Sequence, residues 1–230
     1  LTYGTRPVYV GLVEWDEQSD SLLGPFQNTS DGIIDEVHEI RDEVGADACA
    51  LVSLTDGENP SVGYCGLAYV LGGNSPAFAF SSLVRGCMGY SLFAHEFGHN
   101  IGLLHAVGDS ATGDGPPCDP WEPTWVGCCA PGESPVASEE ERQYQYGWRW
   151  VGSTTFCFKT VMAYSPGSTV LHYSNPEVIY DGVPTGSPQE SADNRVANNA
   201  RRVSETMPGT AAYRCAVPEQ TGADGRLVAA

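Results

Sequence analysis

The chain is poor in positive charge. Eleven Lys and Arg against 29 Asp and Glu in 230 residues leave a formal charge of −18 and a pI near 4.4. Nucleic acid and anionic lipid are both gripped through a basic footprint, so neither is an expected partner. No apolar run approaches the roughly 18 residues that span a bilayer, and no membrane segment is expected. No CxxC pair occurs, and the adjacent Cys128 and Cys129 are awkward joint ligands for one zinc. The first residues, Leu1 onward, lack a basic start leading into an apolar core, so a signal peptide is not expected here and a mature secreted domain is. Charged residues are only 17% of the chain while hydrophobic residues reach 41%, the opposite of a disordered composition.

What is present fits an oxidising compartment. Eight cysteines, at 49, 65, 87, 118, 128, 129, 157 and 215, allow up to four disulfides. Cys65 and Cys87 flank two short strand-like runs and are the first pair expected. Twenty-seven Gly and 16 Pro announce many turns. Arg6–Glu14 reads as an opening strand, Ser30–Glu43 as a helix with Ile33, Ile34, Val37 and Ile40 on one face, and Ala48–Leu54 as a strand covered on both sides. Gly66–Leu71 and Ala77–Val84 read as further strands about a turn at 72–76, and Tyr90–Gly102 as a helix. From Ala106 to Ser138 the pattern dissolves into Gly, Pro, Asp, Cys and Trp, with Cys118, Cys128, Cys129, Trp121 and Trp125 to staple and bury it. A short helix over Ser138–Tyr146 and one over Ser191–Met207, broken by Pro208, complete the pattern. No repeat or linker divides the chain. One domain over 1–230 is expected, with an upper lobe over about 1–102 and a lower lobe over about 103–230.

Inside the Tyr90–Gly102 helix the chain reads HEFGHNIGLLH from His95 to His105. Four residues advance a helix by about 400°, so His95 and His99 share one face a turn apart, while Glu96 is offset by about 100° and can stand beside a metal without ligating it. Gly102 lets the backbone leave the helix through a conformation costly for other residues, and His105 then approaches from another direction. Three imidazoles leave the fourth position of a tetrahedral zinc open to water, which is the signature of a catalytic site. At this chain's own residue frequencies the five key positions coincide by chance with a probability on the order of 10⁻⁵.

The stretch resembles the long zinc signature HExxHxxGxxH of the metzincin metallopeptidases. Val161-Met162-Ala163-Tyr164, 57 residues after His105, resembles the methionine turn of that clan. Gly66-Leu67-Ala68-Tyr69-Val70, Tyr90 to Glu96, and Tyr173-Ser174-Asn175-Pro176-Glu177-Val178 extend the likeness toward the bacterial reprolysin-like, adamalysin-related group that includes peptidyl-Asp metallopeptidases. The likeness departs between Ala106 and Trp150, where Ala106 replaces the Asp that adamalysins place after the third His.

The resemblance implies an α/β fold of α+β metzincin type: a twisted mixed β-sheet with helices in the upper lobe, an irregular disulfide-stapled lower lobe, and an active-site cleft between them. It implies Zn2+ held by His95, His99 and His105, with Glu96 as general base and later general acid. Met162 is implied as the apolar floor beneath the imidazoles, a role close to that of an ordinary core Met. Met-x-Tyr matches the spacing at which astacins and serralysins place a tyrosine near zinc, so Tyr164 is a candidate donor to the oxyanion of the attacked carbonyl, the alternative being an aromatic in a pocket wall. Gly66, Leu67, Ala68 and Tyr69 are candidates for an edge strand that pairs with extended substrate, the alternative being an interior strand.

The expected protein is a secreted, monomeric zinc endopeptidase acting on peptides or proteins, with a non-catalytic or toxin-like binding module on the same scaffold as the alternative. Asp109, Asp114 and Asp119 make Ca2+ a further candidate, although the regular alternation of a calcium loop is missing. A preference for Asp in substrates is not expected. It would need a cation in the pocket wall after Met162, and the few basic residues considered, Arg85, Lys159, Arg195, Arg201 and Arg202, all lie outside that segment.

Overall fold

The computed structural model describes residues 4–13, 23–53, 64–70, 75–89, 91–106, 109, 144–153, 156–188, 197–215, 220–221 and 227–228. The expected loop staples Cys118, Cys128, Cys129, Trp121 and Trp125, the aspartates 114 and 119, and residues 138–143 of the expected Ser138–Tyr146 helix lie outside them; residues 144–146 are not helical, Gln145 and Tyr146 forming isolated β-bridges instead. The chain falls into two compact units, Leu1–Ile101 with Thr206–Ala230, and Gly102–Glu205. Among the described residues no helix is long and apolar enough to cross a membrane.

The first unit begins with helix α1, Leu23–Gln27, and helix α2, Glu36–Val44. Helix α2 starts six residues later than periodicity predicts. Asp31 Oδ1 accepts the amide of Ile33, Asp35 Oδ2 accepts that of Gly32, and Gly32 and Ile34 both take positive φ, so local side-chain bonds outcompete the first helical turn. Strands β1 (Cys49–Ser53), β2 (Gly66–Ala68) and β3 (Phe80–Val84) form a sheet in the order β1-β3-β2, with β1 parallel and β2 antiparallel to β3. Ala77–Phe78 belong to a 3₁₀ turn before β3, not to the strand.

Two expectations fail here. Residues 6–13 form no strand, and Val10 and Leu12 stand 85% and 93% exposed; an alternating run becomes a strand only where a sheet edge takes up its hydrogen bonds. Strand β1 is covered on one face only, because its residues alternate between partly covered and exposed positions. The core of this unit is Leu23, Phe26, Ile34 and Phe80, with Leu51 and Leu67 packed against it. Arg41 is buried beside it, its guanidinium donating to the carbonyls of Ala46, Asp47 and Pro76 and lying over the Phe80 ring. Cys65 and Cys87 are joined as expected, across a separation of 22 residues, a closure that contributes about 3 kcal/mol. Helix α3, Leu92–Asn100, follows β3.

The second unit holds a three-stranded sheet of β4 (Arg149–Val151), β5 (Cys157–Lys159) and β6 (Ser168–Thr169), and a hairpin of β7 (Asn175–Tyr180) with β8 (Val183–Thr185). Asp181 and Gly182 turn the hairpin with positive φ at both positions, the conformation that a right-twisted two-residue hairpin demands. Trp150, Phe158 and Tyr180 pack ring against ring with centroids 5.2 to 6.2 Å apart, joining sheet and hairpin. Cys157 is disulfide-bonded. Helix α4, Asn199–Thr210, contains Pro208 instead of ending before it. The proline removes one donor, but Ala211 still reaches the carbonyl of Met207 and the last turn closes. Gln220–Thr221 (β9) and Leu227–Val228 (β10), which belong to the first unit, form a small antiparallel pair.

Candidate metal centre

Helix α3 carries His95, Glu96 and His99, all buried. It is anchored by Asn100, whose side-chain amide donates to the carbonyls of Tyr69 and Phe80 at 3.1 Å each, tying the end of the helix to the sheet. The chain leaves the helix at Ile101, and Gly102 takes φ +86°, the left-handed conformation its lack of a side chain permits. Three residues later comes His105, also buried, with the neighbouring Leu104 amide bonded to the carbonyl of Gln145.

The result is a single cluster. His95, His99 and His105 each offer a ring nitrogen, and the three ligand atoms lie within 4.8 Å of one another. His95 and His99 meet edge to face at a centroid distance of 5.0 Å, one helical turn apart as spacing predicts. Three buried neutral imidazoles with converging nitrogens and no thiolate or carboxylate among them make a borderline-soft, N-only donor set. That set suits Zn2+ and is too poor in oxygen for Ca2+. The residues therefore fit the metal that the sequence implies.

Burial pushes the Glu96 carboxyl up to about 7 by taking its charged form out of water. Its side chain lies directly against β2: a Cβ added to Gly66 would sit 2.5 Å from Glu96 Oε1 and 2.8 Å from its Cγ. Among the described residues strand β2 is the outer strand of its sheet and pairs with β3, which leaves its other edge without a described neighbour. Tyr69 lies just past the strand and packs toward the core.

Met162 is fully buried. A Cβ added to Gly147 would stand 2.9 Å from the backbone of Met162 and Ala163, and the Gly147 amide donates to the carbonyls of Leu104 and, more distantly, His105. Gly147 thus wedges between the third imidazole's segment and the methionine turn, a position that reading the chain for motifs passed over. Tyr164 is 43% exposed and lays its ring against His105, centroids 4.1 Å apart at 39°. Asp109, considered for calcium, has both carboxylate oxygens engaged by protein groups, one paired with Arg149 and the other accepting the Tyr164 amide. Arg149 and Lys159, from β4 and β5, donate to the carbonyls of Tyr164 and Ala163. Two cations therefore flank the segment after Met162 although none lies within it.

Residues 8–106 match the M12B reprolysin-like metallopeptidase family. Peptidyl-Asp metalloendopeptidases of Stenotrophomonas maltophilia and Xanthomonas campestris are 32% and 34% identical to the chain over 183 residues, 78% of its length. The chain spans about a third of those relatives' length, 36% and 35%. A solved chaperone–substrate complex superposes with a TM-score of 0.53 at 14% identity, covering 87% of this chain and 26% of that one, a likeness of fold alone.

Proposed function

The chain carries the M12B reprolysin-like metallopeptidase pattern, and from that premise we propose that it is the catalytic part of a zinc metalloendopeptidase. One observation carries the reading: three buried imidazoles with ligand atoms within 4.8 Å, and a buried carboxylate on the residue beside the first of them. His95, His99 and His105 would hold the zinc. When bound, the metal supplies a Lewis acid that polarises the substrate carbonyl and acidifies water.

The chain's own groups then divide the work. Glu96, buried beside the first imidazole, takes a proton from the attacking water and returns it to the departing amine. The Tyr164 hydroxyl donates to the oxyanion as the carbonyl is attacked. Met162, which is fully buried, would form the apolar floor beneath the ligands. Strand β2, with one edge unpaired among the described residues, takes an extended substrate by strand addition at Gly66–Ala68, Tyr69 flanking it.

The relatives are named for peptidyl-Asp bonds. Lys159 puts positive charge against the segment after Met162, which supports an acidic residue beside the scissile bond here too, whereas the charge of Arg149 is matched by Asp109. The paired Cys65–Cys87 and the bonded Cys157 support an oxidising, extracellular setting, and the protein would act there as a monomer.

Cleavage of a mixed peptide library tests the reading. The zinc-loaded protein should cut it, chelator should stop it, and Glu96→Ala should lower kcat by about 10²- to 10⁴-fold while leaving zinc bound. Cleavage that survives both treatments, or no cleavage by the metal-loaded protein, overturns it. The cut sites show directly whether Asp is preferred.

A further inference from the structure

Two residues past Met162, the backbone of Tyr164 is gripped on both sides by one ion pair. Asp109 Oδ2 accepts the Tyr164 amide at 2.7 Å, and Arg149 Nη1 donates to the Tyr164 carbonyl at 3.3 Å. The other Asp109 oxygen pairs with the same Arg149 nitrogen. Lys159 Nζ donates to the preceding carbonyl, that of Ala163, at 2.8 Å. The Asp109 and Arg149 side chains are only 4% and 11% exposed.

This arrangement joins three distant stretches of chain. Asp109 lies four residues beyond His105, Arg149 opens β4, and Tyr164 follows β5. The held residue is the one whose ring rests on the His105 imidazole. An ion pair this deep loses hydration that its own attraction only partly restores, and apolar residues of similar volume commonly hold a fold as well. Apolar residues cannot bind the N–H and the C=O of a single residue. The pair is therefore explained better by what it orients than by what it stabilises.

We propose that Asp109 and Arg149 are positioning residues for the metal centre: together they fix the Tyr164 peptide, the fixed peptide holds the Tyr164 ring on His105, and the ring sets the orientation of that ligand. This rests on the metallopeptidase reading of the site. Partners that orient a metal ligand from outside typically govern about 10- to 100-fold in metal affinity or activity when removed. The link is a chain of contacts, so removing Asp109 and removing Tyr164 should damage the same thing once.

The test replaces the pair by apolar groups, Asp109→Leu with Arg149→Met, in the full chain. The parent protein loaded with Co2+ comes first: if it shows no tetrahedral cobalt absorption and cuts no peptide, the metallopeptidase reading itself is at fault, whatever the variant does. With a sound parent, the double variant should keep its thermal midpoint within a few degrees, shift the visible cobalt absorption, lose metal to chelator about 10- to 100-fold faster, and lower kcat with KM little changed. Adding Tyr164→Ala to it should then change the chelator rate no further. An unaltered cobalt spectrum and release rate, or a Tyr164 effect that simply adds to that of the pair, overturns the proposal. Should the double variant not fold, Asp109→Ala and Arg149→Ala are measured the same way. Each removes one of the two backbone contacts to Tyr164, and each should shift the cobalt spectrum; a parental spectrum in both overturns the proposal.

Discussion

The helical and the turn-borne parts of the candidate site are built by different means. His95, Glu96 and His99 stand on α3, where one helical period fixes their spacing and Asn100 ties the end of the helix to the sheet. Met162 and Tyr164 stand on a turn with no period of its own, held by contacts from residues 15 to 55 positions away: Gly147 against Met162, and Asp109 and Arg149 about Tyr164. The first part depends on local geometry and tolerates change around it. The second depends on a few non-local contacts, and each of them is a point of failure.

A glycine in each part puts this contrast to a direct test. In the turn-borne part, a Cβ at Gly147 meets backbone of Met162 and Ala163, atoms that cannot swing aside. Gly147→Ala is expected to be the most damaging change: overpacking should cost about 1–3 kcal/mol, visible as a lowered thermal midpoint, and cleavage should be lost with it. A variant with the parental midpoint and full activity would erase the contrast.

Tyr164→Phe removes the proposed oxyanion donor from the same part without touching its backbone clamp. A fall in kcat of about 10²- to 10³-fold with unchanged stability is expected. An unchanged kcat would leave the ring as packing for His105 and nothing more.

In the helical part, a Cβ at Gly66 meets only the Glu96 side chain, which can move. Gly66→Ala should therefore keep its thermal midpoint and lose up to about 10² in kcat/KM, the scale of a roughly 1 Å displacement of a reacting group. A drop in the midpoint as large as that of Gly147→Ala would show that the two glycines do the same job. The smallest effect on chemistry is expected from Cys65→Ser with Cys87→Ser, which should lower stability by about 3 kcal/mol and leave kcat at low temperature near the parental value, measured on protein shown to be folded.

The contrast also explains what a reader of the chain could see. His95, Glu96, His99 and His105 were legible because four-residue spacing and a glycine exit follow from helix geometry, and Gly102 takes the positive φ that this exit requires. The Cys65–Cys87 bond was legible from two cysteines flanking neighbouring strands. The strand expected over 6–14 was not realised over residues 6–13, because alternation records a face and not a partner. The late start of α2 was hidden in Asp31 and Asp35, whose side chains bond amides that a helix would have used. Gly147 and Arg149 left no trace, and Asp109 stood out only as a calcium candidate. A glycine chosen for closeness to a turn 15 residues on, and a carboxylate chosen for an amide 55 residues on, obey no period.

The contact between Gly66 and Glu96 carries a consequence for engineering new cleavage preferences. The strand proposed to receive substrate and the proposed acid–base residue, Glu96, meet at Gly66, so the reach of the carboxylate is set by the strand's own register. A one-residue slip of β2 would carry a side chain into the carboxylate and a gap away from it. Libraries that diversify the strand should therefore hold position 66 constant and vary Leu67 and Ala68, so that the proposed substrate contacts change while the Glu96 carboxylate stays where it is.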